Sequence, residues 1–196
     1  MCIRDSDGTI FKGDTLIEDV KEGLEKILDS GIDIYYTTNN SSQSPNEIKS
    51  KLENLLKVNI DISKIISPLV IFQNLYQGIQ KKLYIYGSDN LKKYIKKINM
   101  HITSLENSEL ILVGRKEENN NSEINQIIKN VELGKNILCL NKDLTFPTEY
   151  GEEPGNGAIV KIIEDKLSIN IPTLGKSGKL YSSYFTPVSY THLTLP

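Results

Sequence analysis

Strand-like runs alternate with runs of helical spacing along most of this 196-residue chain, and that alternation limits the fold more than any other feature. Leu16, Val20, Leu24, Ile27 and Leu28 recur at helical spacing, with Gly31 where a helix C-terminal cap would stand. Residues 32–37 then read as a strand. Ser44-Pro45-Asn46-Glu47 spells a capping box with proline at the first helical position, and Ile48, Leu52, Leu55 and Leu56 give that helix its apolar face. Ser67-Pro68 opens a short helix. The strand at 83–86 precedes a helix marked by Leu91, Tyr94, Ile95 and Ile98. The strand at 110–113 precedes a loop through Asn119, Asn120 and Asn121 that enters its helix at Ser122. Ile124, Ile127, Ile128 and Val131 mark that helix, which Gly134 stops. Strands at 137–140 and 171–174 follow. Strands linked by helices of this length pair in parallel, so an α/β fold with a parallel sheet is expected.

Composition narrows the function classes. Apolar residues make up 38% of the chain and charged residues 24%, as in globular domains, and no apolar run approaches the length of a membrane span. The N-terminus lacks the basic-then-apolar pattern of a signal peptide. A net charge of −2 argues against a dedicated nucleic-acid binder. Lys92, Lys93, Lys96 and Lys97 lie opposite their helix's apolar stripe and read as a solvated face. Cys2 and Cys139 form no metal-ligand spacing, so a reducing, cytoplasmic setting is expected. His101 and His192 read as ordinary surface or tail residues.

Three stretches can carry chemistry. In Asp5-Ser6-Asp7-Gly8-Thr9, two carboxylates at i and i+2 point the same way at a strand end, where they could share a Mg²⁺ ion and a substrate. One could attack phosphorus while the other protonates the leaving oxygen. Alone, such a pentapeptide is more often a turn. Thr37 to Ser42 lies between a strand end and a capped helix, a place suited to a phosphate, although for this stretch alone a polar turn with an N-cap is the better reading. Gly175-Lys176-Ser177-Gly178 offers a lysine able to neutralise a transferred phosphoryl group. It is not a P-loop, because Asn170 stands where that motif needs glycine.

Taken in order, these stretches resemble the motif series of the haloacid dehalogenase superfamily: D-x-D-G-T, then a strand-terminal Thr-Asn, then a distant Gly-Lys. Thr38 follows Asp7 by 31 residues and Lys176 follows Thr38 by 138, a gap that resembles an inserted C2-type cap. The run from Thr38 to Ser42 is similar to the T-N-N-S-S of subfamily IIA, the para-nitrophenylphosphatase and phosphoglycolate phosphatase branch. Residues 140–149, with Pro154-Gly155-Asn156-Gly157-Ala158, resemble that branch's cap signature.

The resemblance implies a Rossmann-like core at 1–81 and 173–196 and an α/β cap at 82–172. It implies a Mg²⁺-dependent phosphatase that hydrolyses small phosphorylated metabolites through an aspartyl-phosphate. Asp5 matches the nucleophile and a Mg²⁺ ligand, and Asp7 the general acid/base, with its backbone carbonyl as the second ligand. Lys176 matches the motif III lysine. Thr38, Asn39 and Asn40 match the phosphate-binding segment, and Asn141 and Asp143 a cap loop that shapes substrate choice. A homodimer through the cap is a further implication.

Three departures stand out. Only Met1 to Arg4 precede Asp5, where the family has a longer apolar strand. Ser177 replaces the proline of G-K-P. No G-D-x-x-x-[TS]-D follows Lys176, and no aspartate follows Asp165. Residues 1–6 and about 187–196 resemble translated sequencing-adapter read-through and are expected to be non-native, with native sequence starting near Asp7 and Asp5 falling at the nucleophile position by accident or by overlap. The intact parent is therefore expected to be the phosphatase and this chain inactive or nearly so. The competing expectation is a non-catalytic phospho-ligand-binding protein of the same fold.

Overall fold

A computed structural model describes residues 2–5, 9–148 and 151–183, with main chain alone at 2–5, 12, 147 and 148. The first part comprises β1 (Cys2–Asp5), a small hairpin of β2 (Phe11–Lys12) and β3 (Thr15–Leu16), α1 (Val20–Asp29), β4 (Ile34–Thr37) and α2 (Pro45–Leu56). A 3₁₀ turn (Ile62–Lys64), β5 (Ile65–Ile66) and α3 (Pro68–Tyr76) complete it. β1, β4 and β5 form a parallel sheet in that order, with Asp5 opposite Thr37 and Thr37 opposite Ile66. The short lead-in before Asp5 thus still supplies a paired strand.

The second part comprises β6 (Lys82–Tyr86), α4 (Asp89–Lys97), β7 (His101–Ile102), β8 (Leu110–Val113), α5 (Asn121–Glu132) and β9 (Asn136–Cys139). A ribbon of β10 (Thr145–Thr148) and β11 (Gly151–Pro154) leads into α6 (Asn156–Leu167). The sheet order is β7-β6-β8-β9, all parallel. Residues 171–174 run beside β9 through one bridge, Cys139 to Thr173, and do not form a full strand.

Local chemistry explains most of these elements. The Ser44 hydroxyl accepts from the Glu47 amide, and the Glu47 carboxylate accepts from the Ser44 amide at 2.7 Å, so the capping box forms in full. Gly31 follows α1 at φ +69°, a conformation that costs glycine little. In β8, Leu110 and Leu112 enter one apolar cluster with α3 and α4, while Ile111 and Val113 enter another with α5 and α6. Helices therefore cover both faces, as a parallel sheet requires. α1 and α2 cover the first sheet through Leu24, Ile48, Leu52 and Leu56 against Ile34 and Tyr36. Ile66, Leu69, Ile71 and Phe72 join the cluster of β6 and β8, so the two parts share apolar contact.

Some local readings shift. α5 is capped by Asn120, whose side chain accepts from the amides of Ser122 and Glu123. In a run of three asparagines and a serine, each residue is a competent cap, and packing of Ile124, Ile127 and Ile128 selects among them. His101 lies in β7 and is exposed, an ordinary surface residue. The two hairpins and α6 were not evident from periodicity.

Candidate active site

β1 and β4 end side by side, so the main chain of Asp5 stands next to Thr37. The Asp5 side chain and all of Asp7 lie outside the described residues, as does His192. Beyond β4 the chain folds on its own side chains. The Thr38 amide donates to the Ile66 carbonyl at 3.0 Å, and the Thr38 hydroxyl accepts from the Asn40 amide at 3.0 Å. The Asn40 carbonyl oxygen accepts from the amides of Ser42 and Gln43 at 2.9 and 3.2 Å, and its NH₂ donates to Gln43. Asn40 thus shapes the loop that delivers the chain to the Ser44 cap.

Asn39 makes contacts of another kind. Its Nδ2 donates to both oxygens of Asp143, at 2.9 and 3.0 Å, and its Oδ1 accepts from the Lys176 amide at 2.8 Å. One carboxamide thus joins its own segment to two others, each more than a hundred residues further along the chain. Asn141 adds a second tie, donating from Nδ2 to the Asn39 carbonyl at 2.8 Å and the Ser41 hydroxyl at 3.2 Å. Thr38, Asn39, Asn40, Asn141, Asp143 and the Lys176 main chain are therefore gathered at one place. Their common location is the carboxyl end of parallel strands, where α/β sheets take ligands.

Glycines allow this convergence. A Cβ on Gly175 would stand 3.0 Å from Asn141 Cα and 3.1 Å from Asn39 Oδ1. A Cβ on Gly157 would stand 2.2 Å from the Lys142 carbonyl oxygen, and one on Gly155 2.2 Å from that of Asp143. The start of α6 is thus pressed onto the loop that carries Asn141 and Asp143.

Asn156, between those glycines, is 2% exposed. Its Nδ2 donates to the Asn141 carbonyl at 2.8 Å and the Val113 carbonyl at 3.2 Å, while its Oδ1 is buried with no partner. An unsatisfied buried acceptor costs about 1–3 kcal/mol. Arg115 lies 3.7 Å over the Phe146 ring and pairs with Glu153 at 3.0 Å, fastening the β10–β11 ribbon to the end of β8. Arg115 was not singled out from the sequence, and Asn156 stood there only within the cap signature, with no role of its own. The Gly-Asn-Gly spelling at 155–157 was the available signal for Asn156; nothing local marked Arg115.

Cys139 is fully buried, and burial pushes its thiol up to about 11, which disfavours the reactive thiolate. Among the described residues, no cluster of three His, Cys, Asp or Glu side chains could hold a metal. No helix among them is long and apolar enough to cross a membrane.

The pattern of a family described as Haloacid dehalogenase-like hydrolase matches residues 2–101. The chain is similar to a 5'-nucleotidase, YutF, of Bacillus subtilis, at 25% identity over 88% of this chain and 67% of that protein. It is similar to an acid sugar phosphatase of Staphylococcus aureus, at 23% identity over the same shares. It shares its fold with a p-nitrophenyl phosphatase from Archaeoglobus fulgidus: the TM-score is 0.85 at 21% identity, over 96% of this chain and 73% of that one.

Proposed function

This chain belongs to the haloacid dehalogenase-like hydrolase family, and on that premise we propose hydrolysis of small phosphate monoesters as its function. The Asn39 carboxamide carries the reading, because it ties the segment after β4 to the loops of Asp143 and Lys176. Amide and hydroxyl donors gathered there suit the oxygens of a phosphoryl group. Thr38 and Asn39 hold those oxygens, and Lys176 offsets their charge. Asn141 and Asp143 face the rest of the substrate from residues 82–172, which act as a cap and offer the surface for a homodimer.

Asp5 attacks phosphorus in line, and the P–O bond to the leaving group breaks as an aspartyl-phosphate forms. Asp7 gives its proton to the departing oxygen. It then takes one from the water that attacks the acyl phosphate, which frees phosphate and restores Asp5. The Asp5 carboxylate and the Asp7 main-chain carbonyl are hard oxygen donors that fit Mg²⁺ and would hold it. When bound, the ion would neutralise negative charge on the phosphoryl group. The substrate is a small phosphorylated metabolite of the cytoplasm.

Phosphate release from p-nitrophenyl phosphate, sugar phosphates and nucleoside monophosphates tests the proposal, with and without Mg²⁺, using protein expressed from the complete open reading frame. Mg²⁺-dependent release that Asp7→Asn abolishes is expected. Release that survives Asp7→Asn, or that ignores Mg²⁺, would overturn it.

A further inference from the structure

Asn156 takes no part in the chemistry proposed above, yet it stands at the head of a relay of amides that runs through Asn141 and ends there. Its Nδ2 forks between the end of β8, at the Val113 carbonyl, and the Asn141 carbonyl. Asn141 in turn grips the Asn39 carbonyl and the Ser41 hydroxyl. The Asn39 side chain then receives the Lys176 amide. We propose that Asn156 is a positioning residue, which sets the phosphate cradle from the far side of the Asn141 loop. Its consequence for phosphate rests on the function proposed above; its consequence for the geometry does not.

Two observations separate this role from plain packing. The Asn156 side-chain oxygen, Oδ1, is buried and unpartnered, a cost that plain packing would not retain and that the two bonds donated by Nδ2 offset. What an apolar side chain could not supply is the pair of donated hydrogen bonds, and the more closely held of these fixes the loop bearing Asn141 and Asp143. The fork is also anchored. Gly155 and Gly157 lie so close to the carbonyls of Asp143 and Lys142 that the start of α6 cannot slide along the loop. The Gly157 amide donates to the Asp143 carbonyl at 2.8 Å, and the Gly155 amide to that of Leu144 at 2.8 Å. A fork on a fixed base sets a distance, which is what a cradle built from three remote segments needs.

Hydrogen exchange provides a direct reporter, because the Lys176 amide is bonded to the Asn39 side chain itself. Asn156→Leu keeps the volume and removes both donors. Asn156→Asp keeps the shape and turns an acceptor toward two carbonyls. In each variant the Lys176 amide should exchange at least tenfold faster, while the Leu112 amide in β8 is unchanged. Inorganic phosphate, titrated calorimetrically, should bind about tenfold more weakly. Asn141→Ala should reproduce the effect and add nothing to Asn156→Leu, since both cut one relay.

If a folded Asn156 variant leaves Lys176 exchange and phosphate affinity at wild-type values, the proposal fails. It also fails if exchange rises equally at Leu112, or if the Asn141 and Asn156 effects add. Should wild-type protein not bind inorganic phosphate at millimolar concentration, the cradle reading is lost, while Lys176 exchange still decides the role of Asn156.

Discussion

Gly157→Ala sets local propensity directly against a tertiary contact. Gly157 lies in the first turn of α6, and exchanging glycine for alanine in a helix gains about 1 kcal/mol by propensity alone. The new Cβ, however, would sit 2.2 Å from the Lys142 carbonyl oxygen, 2.4 Å from its carbon and 2.8 Å from the Asp143 carbonyl carbon. These are main-chain atoms, so no side-chain rotation relieves the contact, and the loop must retreat by roughly 1 Å to restore van der Waals separation. That retreat takes the 2.9 and 3.0 Å bonds between Asn39 and Asp143 to near 4 Å, beyond hydrogen-bonding range.

Overpacking costs about 1–3 kcal/mol, and the weakened bond from the Gly157 amide to Asp143 about 1 more. Set against the propensity gain, the net loss is about 2 kcal/mol, or a fall in Tm of about 4–8 °C for a chain of this length. Gly23→Ala is the control. Gly23 lies within α1 with nothing within 4 Å of an added Cβ, and the change should stabilise by about 0.5–1 kcal/mol. Urea denaturation of both variants beside wild type provides the comparison, with phosphate affinity as a second reading. A Gly157→Ala protein as stable as wild type would refute the reasoning, because the loop could then yield without cost.

Ser44→Ala should destabilise by about 0.5–2 kcal/mol through loss of the α2 cap, measured by urea denaturation. The Ser44 hydroxyl and amide hold the Glu47 carboxyl below its ordinary value of 4.5. A folded value lower than the unfolded one means that the contribution is present above about pH 4.5 and fades as pH falls through the folded value. Glu47→Gln should therefore flatten stability against pH in the acid range. Phe72→Ala empties a fully buried site where α3 meets the second sheet and should cost about 3–5 kcal/mol, seen as a lower denaturation midpoint. The Cys139 peptide should resist iodoacetamide at pH 8 and label only in denaturant, read by mass spectrometry, because its thiol is buried and raised to about 11.

The helices were legible because their signals are local. Ser44 and Glu47 lie three residues apart, Gly31 and Gly134 stand just beyond the helices they end, and one turn of backbone suffices to express each preference. The parallel α/β class was legible for a related reason: connections of this length cannot join antiparallel neighbours as tight hairpins do. Motif order marked Thr38, Asn39, Asn141 and Asp143 as site candidates from four short stretches. Where several residues were equally fit, as in the run from Asn119 to Ser122, local chemistry left the choice open and helix packing settled on Asn120.

The sequence by itself determined which residues could cap, turn or alternate, and which polar stretches lay at strand ends. The tertiary structure alone decided that Asn39 meets Asp143 and Lys176, that Asn156 forks between Val113 and Asn141, and that α3 packs with the sheet of β6 and β8. These contacts join residues far apart in the chain. Whether such a pair meets depends on sheet order, register and the close approach at Gly155, Gly157 and Gly175, which follow from packing the whole chain at once. A hydrogen bond gains only about 1 kcal/mol net, so it cannot draw distant segments together; burial of the apolar faces does that, and the polar groups then bond where packing has left them.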